Sequence, residues 1–176
     1  APNGQIKAYN IKTGDDQGRI SYTYDGFERL ANKCFEFPTN SNSNNHYTNT
    51  TSYTFINLGD YTSAQIATFT SQVNDYTAVT STYTYDDNGN ITKITLSNGQ
   101  EYRYQYDDLG QLLREDNSVA NKTYVYTYDY AGNILSKKTY SLTAAGSSPS
   151  GTYTENVYTY DDASWGDLLT SFKGHT

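Results

Sequence analysis

Tyr83-Thr84-Tyr85-Asp86-Asp87-Asn88-Gly89-Asn90-Ile91 decides how the whole chain reads. Tyr, Thr and Tyr alternate with a period of two, which puts both rings on one face of a β-strand and Thr on the other. Both residue types are good strand formers. Asp86 starts a turn, because a carboxylate accepts from backbone N–H groups two residues on. Gly89 supplies a positive φ where the chain reverses. Ile91 opens a return strand, Ile91 to Leu96, and Asn98-Gly99 is a strong hairpin signal leading to the next unit. One β-hairpin of about 21 residues is the predicted unit.

The pattern recurs. Tyr104-Gln105-Tyr106-Asp107 runs into Gly110 and Leu112, and Tyr126-Thr127-Tyr128-Asp129 runs into Gly132 and Ile134. Tyr22-Thr23-Tyr24-Asp25 has Glu28 where Gly is usual. Tyr158-Thr159-Tyr160-Asp161 has an expanded turn carrying Trp165. Asp86, Asp107, Asp129 and Asp161 are spaced by 21, 22 and 32 residues; the last interval holds a loop insertion at about 143–152. The interval from Asp25 to Asp86 has room for about three units, and Tyr53-Thr54-Phe55 is a degenerate copy inside it. Such a period marks a repeat architecture. Residues 1–176 are therefore read as a single repeat region. Its clear repeats lie at about 83–140, with more at 19–30 and 157–170 and degenerate ones at about 47–82. The expected fold is all-β: a meander of tandem hairpins forming a curved, open antiparallel sheet. Ser63–Val73 has Ile66, Phe69 and Val73 at helical spacing but also fits a bulged strand. The polar stretch Asn40–Asn49 reads as a long surface loop.

Composition tests this reading. Ile, Leu, Val and Phe make up roughly 16% of the chain, a level that leans toward disorder. The 20 Tyr answer it, because they are placed and not scattered. They are expected to replace the aliphatic core, with Thr side chains and turn carbonyls as partners for their hydroxyls. A net charge of −7 argues against nucleic acid and against an anionic membrane surface. No apolar run approaches the roughly 18 residues of a membrane-spanning helix. Without Met, the chain reads as a processed product or an excised piece of something longer.

The motif Tyr-x-Tyr-Asp-x-x-Gly-(Asn/Gln)-(Ile/Leu) resembles the YD repeat of the Rhs family. That family includes bacterial Rhs and wall-associated surface proteins, toxin-complex C subunits and teneurins. The resemblance is strongest over Tyr83–Tyr140. It implies a β-strip belonging to a larger shell, bacterial and secreted or at the cell surface, without enzymatic activity. The family's C-terminal autoproteolytic core has no matching segment, so autoproteolysis is not carried over. The remainder of a larger Rhs-type polypeptide is the implied partner. A carbohydrate or cell-surface ligand is a second reading, since exposed aromatic rings stack on sugars. Trp165, Tyr102 (taken as facing away from the repeat tyrosines) and Tyr130 are the candidates for stacking. A glycan-active enzyme is a distant third.

Other chemistry is weakly supported. Asp86-Asp87-Asn88-Gly89-Asn90 departs from a calcium loop, with Ile91 and Ser97 where Gly and Glu are required. The pairs Asp86/Asp87 and Asp161/Asp162 are neighbours in turns, not carboxylates facing each other across a cleft. Cys34, His46 and His175 have no catalytic or metal-ligand spacing. No cofactor or metal is expected. Raw sheet edges predict some self-association.

Overall fold

The computed structural model describes residues 4–14, 16–38, 46–59 and 61–173. Among them every regular element is a strand, as the all-β reading requires. The chain divides into two compact units, residues 1–83 and 84–176.

The first unit contains β1 (Ala8–Thr13), β2 (Asp16–Tyr24), β3 (Leu30–Pro38), β4 (His46–Leu58), β5 (Tyr61–Val73) and most of β6 (Val79–Tyr85). Each strand pairs antiparallel with the next. The second unit contains β7 (Ile91–Leu96), β8 (Glu101–Tyr106), β9 (Leu112–Asn117), β10 (Lys122–Tyr128), β11 (Ile134–Ser141), β12 (Thr154–Thr159) and the two-residue β13 (Ser171–Phe172). These too pair antiparallel in chain order. Two-strand meanders of this kind follow from short turns, which can join only antiparallel neighbours.

Ser63–Val73 is strand, not helix, and lies within β5. Its Ile66 pairs with Phe55 and its Phe69 with Tyr53, so cross-strand partners decide an ambiguous pattern. Of the stretch read as a surface loop, 46–49 are the start of β4, paired with β3; residues 40–45 lie outside the described residues. Between Asp25 and Asp86 the described strands are β3, β4, β5 and β6, of which β4 and β5 run 13 residues each.

Three of the motif strands, β2, β8 and β10, end in a β-bulge. The register shifts between Thr23 and Tyr24, between Gln105 and Tyr106, and between Thr127 and Tyr128. The degenerate copy keeps the same shift, between Thr54 and Phe55. The bulge sets the second aromatic ring opposite the first apolar residue of the return strand: Tyr24 opposite Leu30, Tyr106 opposite Leu112, Tyr128 opposite Ile134.

The two faces differ as period two requires. Tyr22, Tyr24, Tyr83, Tyr85, Tyr104, Tyr106, Tyr126, Tyr128 and Tyr158 are half-buried; Thr23, Thr84, Gln105 and Thr127 are exposed. Hydroxyls pair across strands on the threonine face: Thr84 with Thr92 at 3.2 Å, and Thr127 with the buried Ser136 at 2.9 Å. Among the described residues no apolar side chain is buried. Tyrosine therefore does not form a sealed core. Each ring is covered only by its neighbours on adjacent strands, and the face stays partly wet.

Candidate functional site

Four copies of the turn share one geometry. The carboxylate Oδ1 of Asp86 accepts from the N–H groups of Asn88 and Asn90 at 3.0 and 2.8 Å. Asp107 does the same with Leu109 and Gln111, Asp129 with Ala131 and Asn133, and Asp25 with Phe27 and Arg29. The residue three after each Asp returns its N–H to the Asp carbonyl, and its φ is positive: 64° at Glu28, 86° at Gly89, 78° at Gly110 and 91° at Gly132. Glu28 thus adopts the conformation the other copies give to Gly, at a strain cost that a non-glycine residue bears there.

In three of the copies the side chain of the fourth residue after the Asp completes the grip. Asn90 and Asn133 donate their side-chain amides to Oδ2 of Asp86 and Asp129 at 3.0 Å. At Asp86 the Asn90 side chain is the largest influence, ahead of an opposing desolvation and the backbone N–H donors; the carboxyl sits below its ordinary range. Asp129 is lowered in the same way by Asn133. In the first copy Arg29 takes this place, with Nε 2.7 Å from Oδ2 of Asp25. There desolvation is the largest influence and pushes upward, but the hydrogen bonds from Arg29 and Phe27 and the Arg29 charge outweigh it.

The second tyrosine of the motif reaches back to the preceding repeat. Tyr106 donates its hydroxyl to the Ile91 carbonyl at 2.9 Å, and Tyr128 donates to the Leu112 carbonyl at 2.8 Å. Tyr24 does the same to Ile6 at 2.9 Å. The partners are therefore main-chain carbonyls at the start of the return strand, neither the Thr hydroxyls nor the turn carbonyls expected from sequence. Tyr126, the first ring of its pair, is pushed up to about 12 by desolvation, with Glu115 and neighbouring tyrosines adding to it.

In the expanded copy the carboxylate that grips the turn is that of Asp162. It accepts from the N–H groups of Ser164 and Trp165 at 2.8 and 2.7 Å. Asp161 contributes its backbone N–H to Thr170 Oγ1 at 3.2 Å. Tyr160 is half-buried beside it.

The candidate stacking residues lie in different settings. Tyr130 is fully exposed at a turn tip, and Trp165 is 63% exposed in the expanded turn. Tyr102 is half-buried and lies two residues from Tyr104 in β8. It therefore shares the face of the repeat tyrosines and does not oppose it. A larger aromatic surface lies elsewhere. A groove of about 530 Å³ in the first unit has Phe35, Tyr47, Tyr53 and Phe69 among its walls, with Lys33 and Asn49 beside them. None of its rings carries a full repeat motif, which is why motif reading missed it.

Motif reading also missed a polar knot in the second unit. Arg114 and Asp116, both buried, are on one face of β9; Arg114 Nε lies 2.9 Å from Asp116 Oδ1. Fully buried Thr123 donates to the same oxygen at 2.7 Å. The loop insertion closes over them: Thr143 N–H donates to Thr123 Oγ1, and Arg114 Nη1 donates to the Ser147 carbonyl at 2.7 Å. The spacing Arg-x-Asp placed the pair on one face, but nothing local signalled that a loop would cover it.

His46 lies 3.6 Å from Glu36, and Cys34 accepts from Thr50 Oγ1 at 3.4 Å. His175 lies outside the described residues. Among the described residues no group of three metal-ligating side chains converges.

Residues 85–121 match the family model described as RHS Repeat. That stretch contains the motif residues Tyr85, Asp86, Gly89, Tyr104, Tyr106, Asp107 and Gly110, so the sequence motif and the family match fall on the same turns. No curated protein matches the chain. Among solved structures, the Tc holotoxin pore of Photorhabdus luminescens is 18% identical over 91% of this chain, with a TM-score of 0.44. A TcdB2-TccC3-Cdc42 structure is 15% identical over 96%, with a TM-score of 0.40. This chain spans 9% and 12% of the lengths of those chains.

Proposed function

We propose that this Rhs-type repeat segment is a non-enzymatic scaffold, a strip of an encapsulating shell within a larger bacterial surface or secreted protein. One observation carries the reading: the polar groups of the motif are engaged by the sheet itself. The gripping carboxylates hold backbone N–H groups, and the tyrosine hydroxyls hold the carbonyls of the preceding repeat. Groups held in this way are poorly placed to act as acid, base or ligand contact. Repeats tied to their neighbours extend a sheet by addition, as a shell wall requires.

Limited proteolysis of the longer polypeptide tests enclosure. A domain adjoining the strip stays uncut while the sheet is folded and is cut once Asp86, Asp107 and Asp129 are changed to Ala. Equal cleavage in both forms would remove the enclosing role.

The aromatic groove favours a second reading, binding of a carbohydrate. Ring faces with adjacent amide and ammonium groups suit a sugar's apolar face and hydroxyl rim. Calorimetry with cell-wall oligosaccharides tests it: heat that disappears in Tyr53→Ala supports the groove, and no heat with any sugar ends this reading.

A further inference from the structure

A single cysteine, Cys34, gives this chain no disulfide within itself, but its 20 tyrosines offer another kind of covalent tie. Tyr140 and Tyr153 stand on either side of the loop insertion, one near the end of β11 and the other just ahead of β12. Their rings meet: the centroids are 5.1 Å apart and the planes are tilted by 44°. Lys138 lies two residues before Tyr140, on the same face of β11, and sets its Nζ 5.0 Å from the centroid of the Tyr153 ring. That ammonium is itself 3.8 Å from Glu155 Oε1. Tyr153 is thus held by a ring and a cation, although it is 47% exposed. Tyr140 is half-buried, and both residues line a groove of about 240 Å³ that is open to small molecules.

The loop between the two tyrosines is the strap over the polar knot. Tyr140 is the cross-strand neighbour of Thr123, the buried centre of that knot. The strap is held by three hydrogen bonds. Leu142 N–H donates to the Asn121 carbonyl at 3.2 Å, Thr143 N–H donates to Thr123 Oγ1 at 2.9 Å, and Arg114 Nη1 donates to the Ser147 carbonyl at 2.7 Å.

We propose that Tyr140 and Tyr153 form a modification site, at which a one-electron oxidant of the peroxidase and hydrogen peroxide class joins the two rings as a dityrosine and closes the strap covalently. Each ring gives up one electron and its phenolic proton. The two phenoxyl radicals couple through a carbon ortho to each oxygen, and one C–C bond forms. The hydrogens on those two carbons move to the oxygens, which restores both phenols. The peroxide takes up the two electrons and two protons and leaves as water. The chain loses two hydrogens and no other atom.

Geometry selects this pair. Coupling needs rings side by side with planes neither stacked nor perpendicular, as in a twisted biaryl, and the tilt of Tyr140 against Tyr153 is of that kind. Tyr9 and Tyr22 serve for comparison: they are 6.1 Å apart with planes at 84°, so an edge points at a ring face. The new bond would cross the base of the loop, so that a cut within residues 144–150 no longer frees one end of the strap.

The folded chain is treated with a haem peroxidase and limiting hydrogen peroxide, and the monomer fraction is read by intact mass and by tandem mass spectrometry. The monomer shows a loss of two hydrogens, dityrosine fluorescence and a linked pair of peptides carrying Tyr140 and Tyr153. Tyr153→Phe loses that linked pair, whereas Tyr22→Phe keeps it; both substitutions leave a ring in place to pack. In the parent chain unfolded in urea before oxidation, the pair falls to the level of other tyrosine pairs. A monomer whose mass is unchanged overturns the proposal, whether or not linked dimers form. So does a folded monomer in which the Tyr140–Tyr153 link is no commoner than a Tyr9–Tyr22 link.

Discussion

The hydroxyl of Tyr106 donates to the main-chain carbonyl of Ile91 at 2.9 Å, across the boundary between two repeats. Asp107, the next residue, grips the turn of its own repeat. Adjacent residues of one motif thus do different work: the aspartate shapes a unit, and the tyrosine joins that unit to the one before it. This division explains why the two residues recur together, since neither alone would give a sheet that continues.

Acid should loosen the turns. Asp86 and Asp129 have carboxyls lowered in the folded chain. Their contribution is present above the unfolded value of about 3.9 and is lost as pH falls through the folded one. Thermal melts from pH 6 downward should therefore show stability falling below about pH 4. Asp86→Asn with Asp129→Asn should flatten that fall and lower stability at neutral pH.

Alkali should act through Tyr126. Its folded value of about 12 lies above the ordinary 10.0, so the protonated form is favoured by folding. The stabilisation is complete below pH 10 and is lost as pH rises toward 12. Ultraviolet titration should show a late-ionising fraction, because burial also raises Tyr106 and Tyr128, and Tyr126→Phe should shrink that fraction.

The knot of Arg114, Asp116 and Thr123 should tolerate loss of both charges better than loss of one. Asp116→Ala leaves the Arg114 guanidinium buried and unpaired, a change of about 3–5 kcal/mol. Replacing Arg114 by Met and Asp116 by Leu together should cost far less. Chemical denaturation of both variants checks the order.

Gly18 lies beneath the Phe37 ring; an added Cβ would collide with Phe37 Cδ2. Gly18→Val should therefore push the ring out of place and destabilise the chain by about 1–3 kcal/mol. A melt equal to the parent chain's would mean that the ring moves aside freely.

Much of this was legible in the residues. Asp86, Gly89 and Ile91 announce a turn because carboxylate, positive φ and β-branch are local properties, and the strand alternation of Tyr83, Thr84 and Tyr85 follows from a period of two. What joins repeats was not legible. The carbonyl that Tyr128 reaches depends on the register between hairpins, which no single motif encodes. The burial of Arg114 depends on a loop some thirty residues away. Tyrosine was expected to build a core; instead the rings stay half-covered because each strand packs only beside its sequence neighbours.

The central claim is that motif tyrosines hold repeat to repeat. Thermal unfolding of Tyr106→Phe with Tyr128→Phe tests it most directly, because only the two hydroxyls are removed. Each lost bond should cost about 0.5–1.5 kcal/mol, and at about 2–4 °C per kcal/mol the pair should lower Tm by several degrees. A double variant that melts with the parent chain would contradict the account.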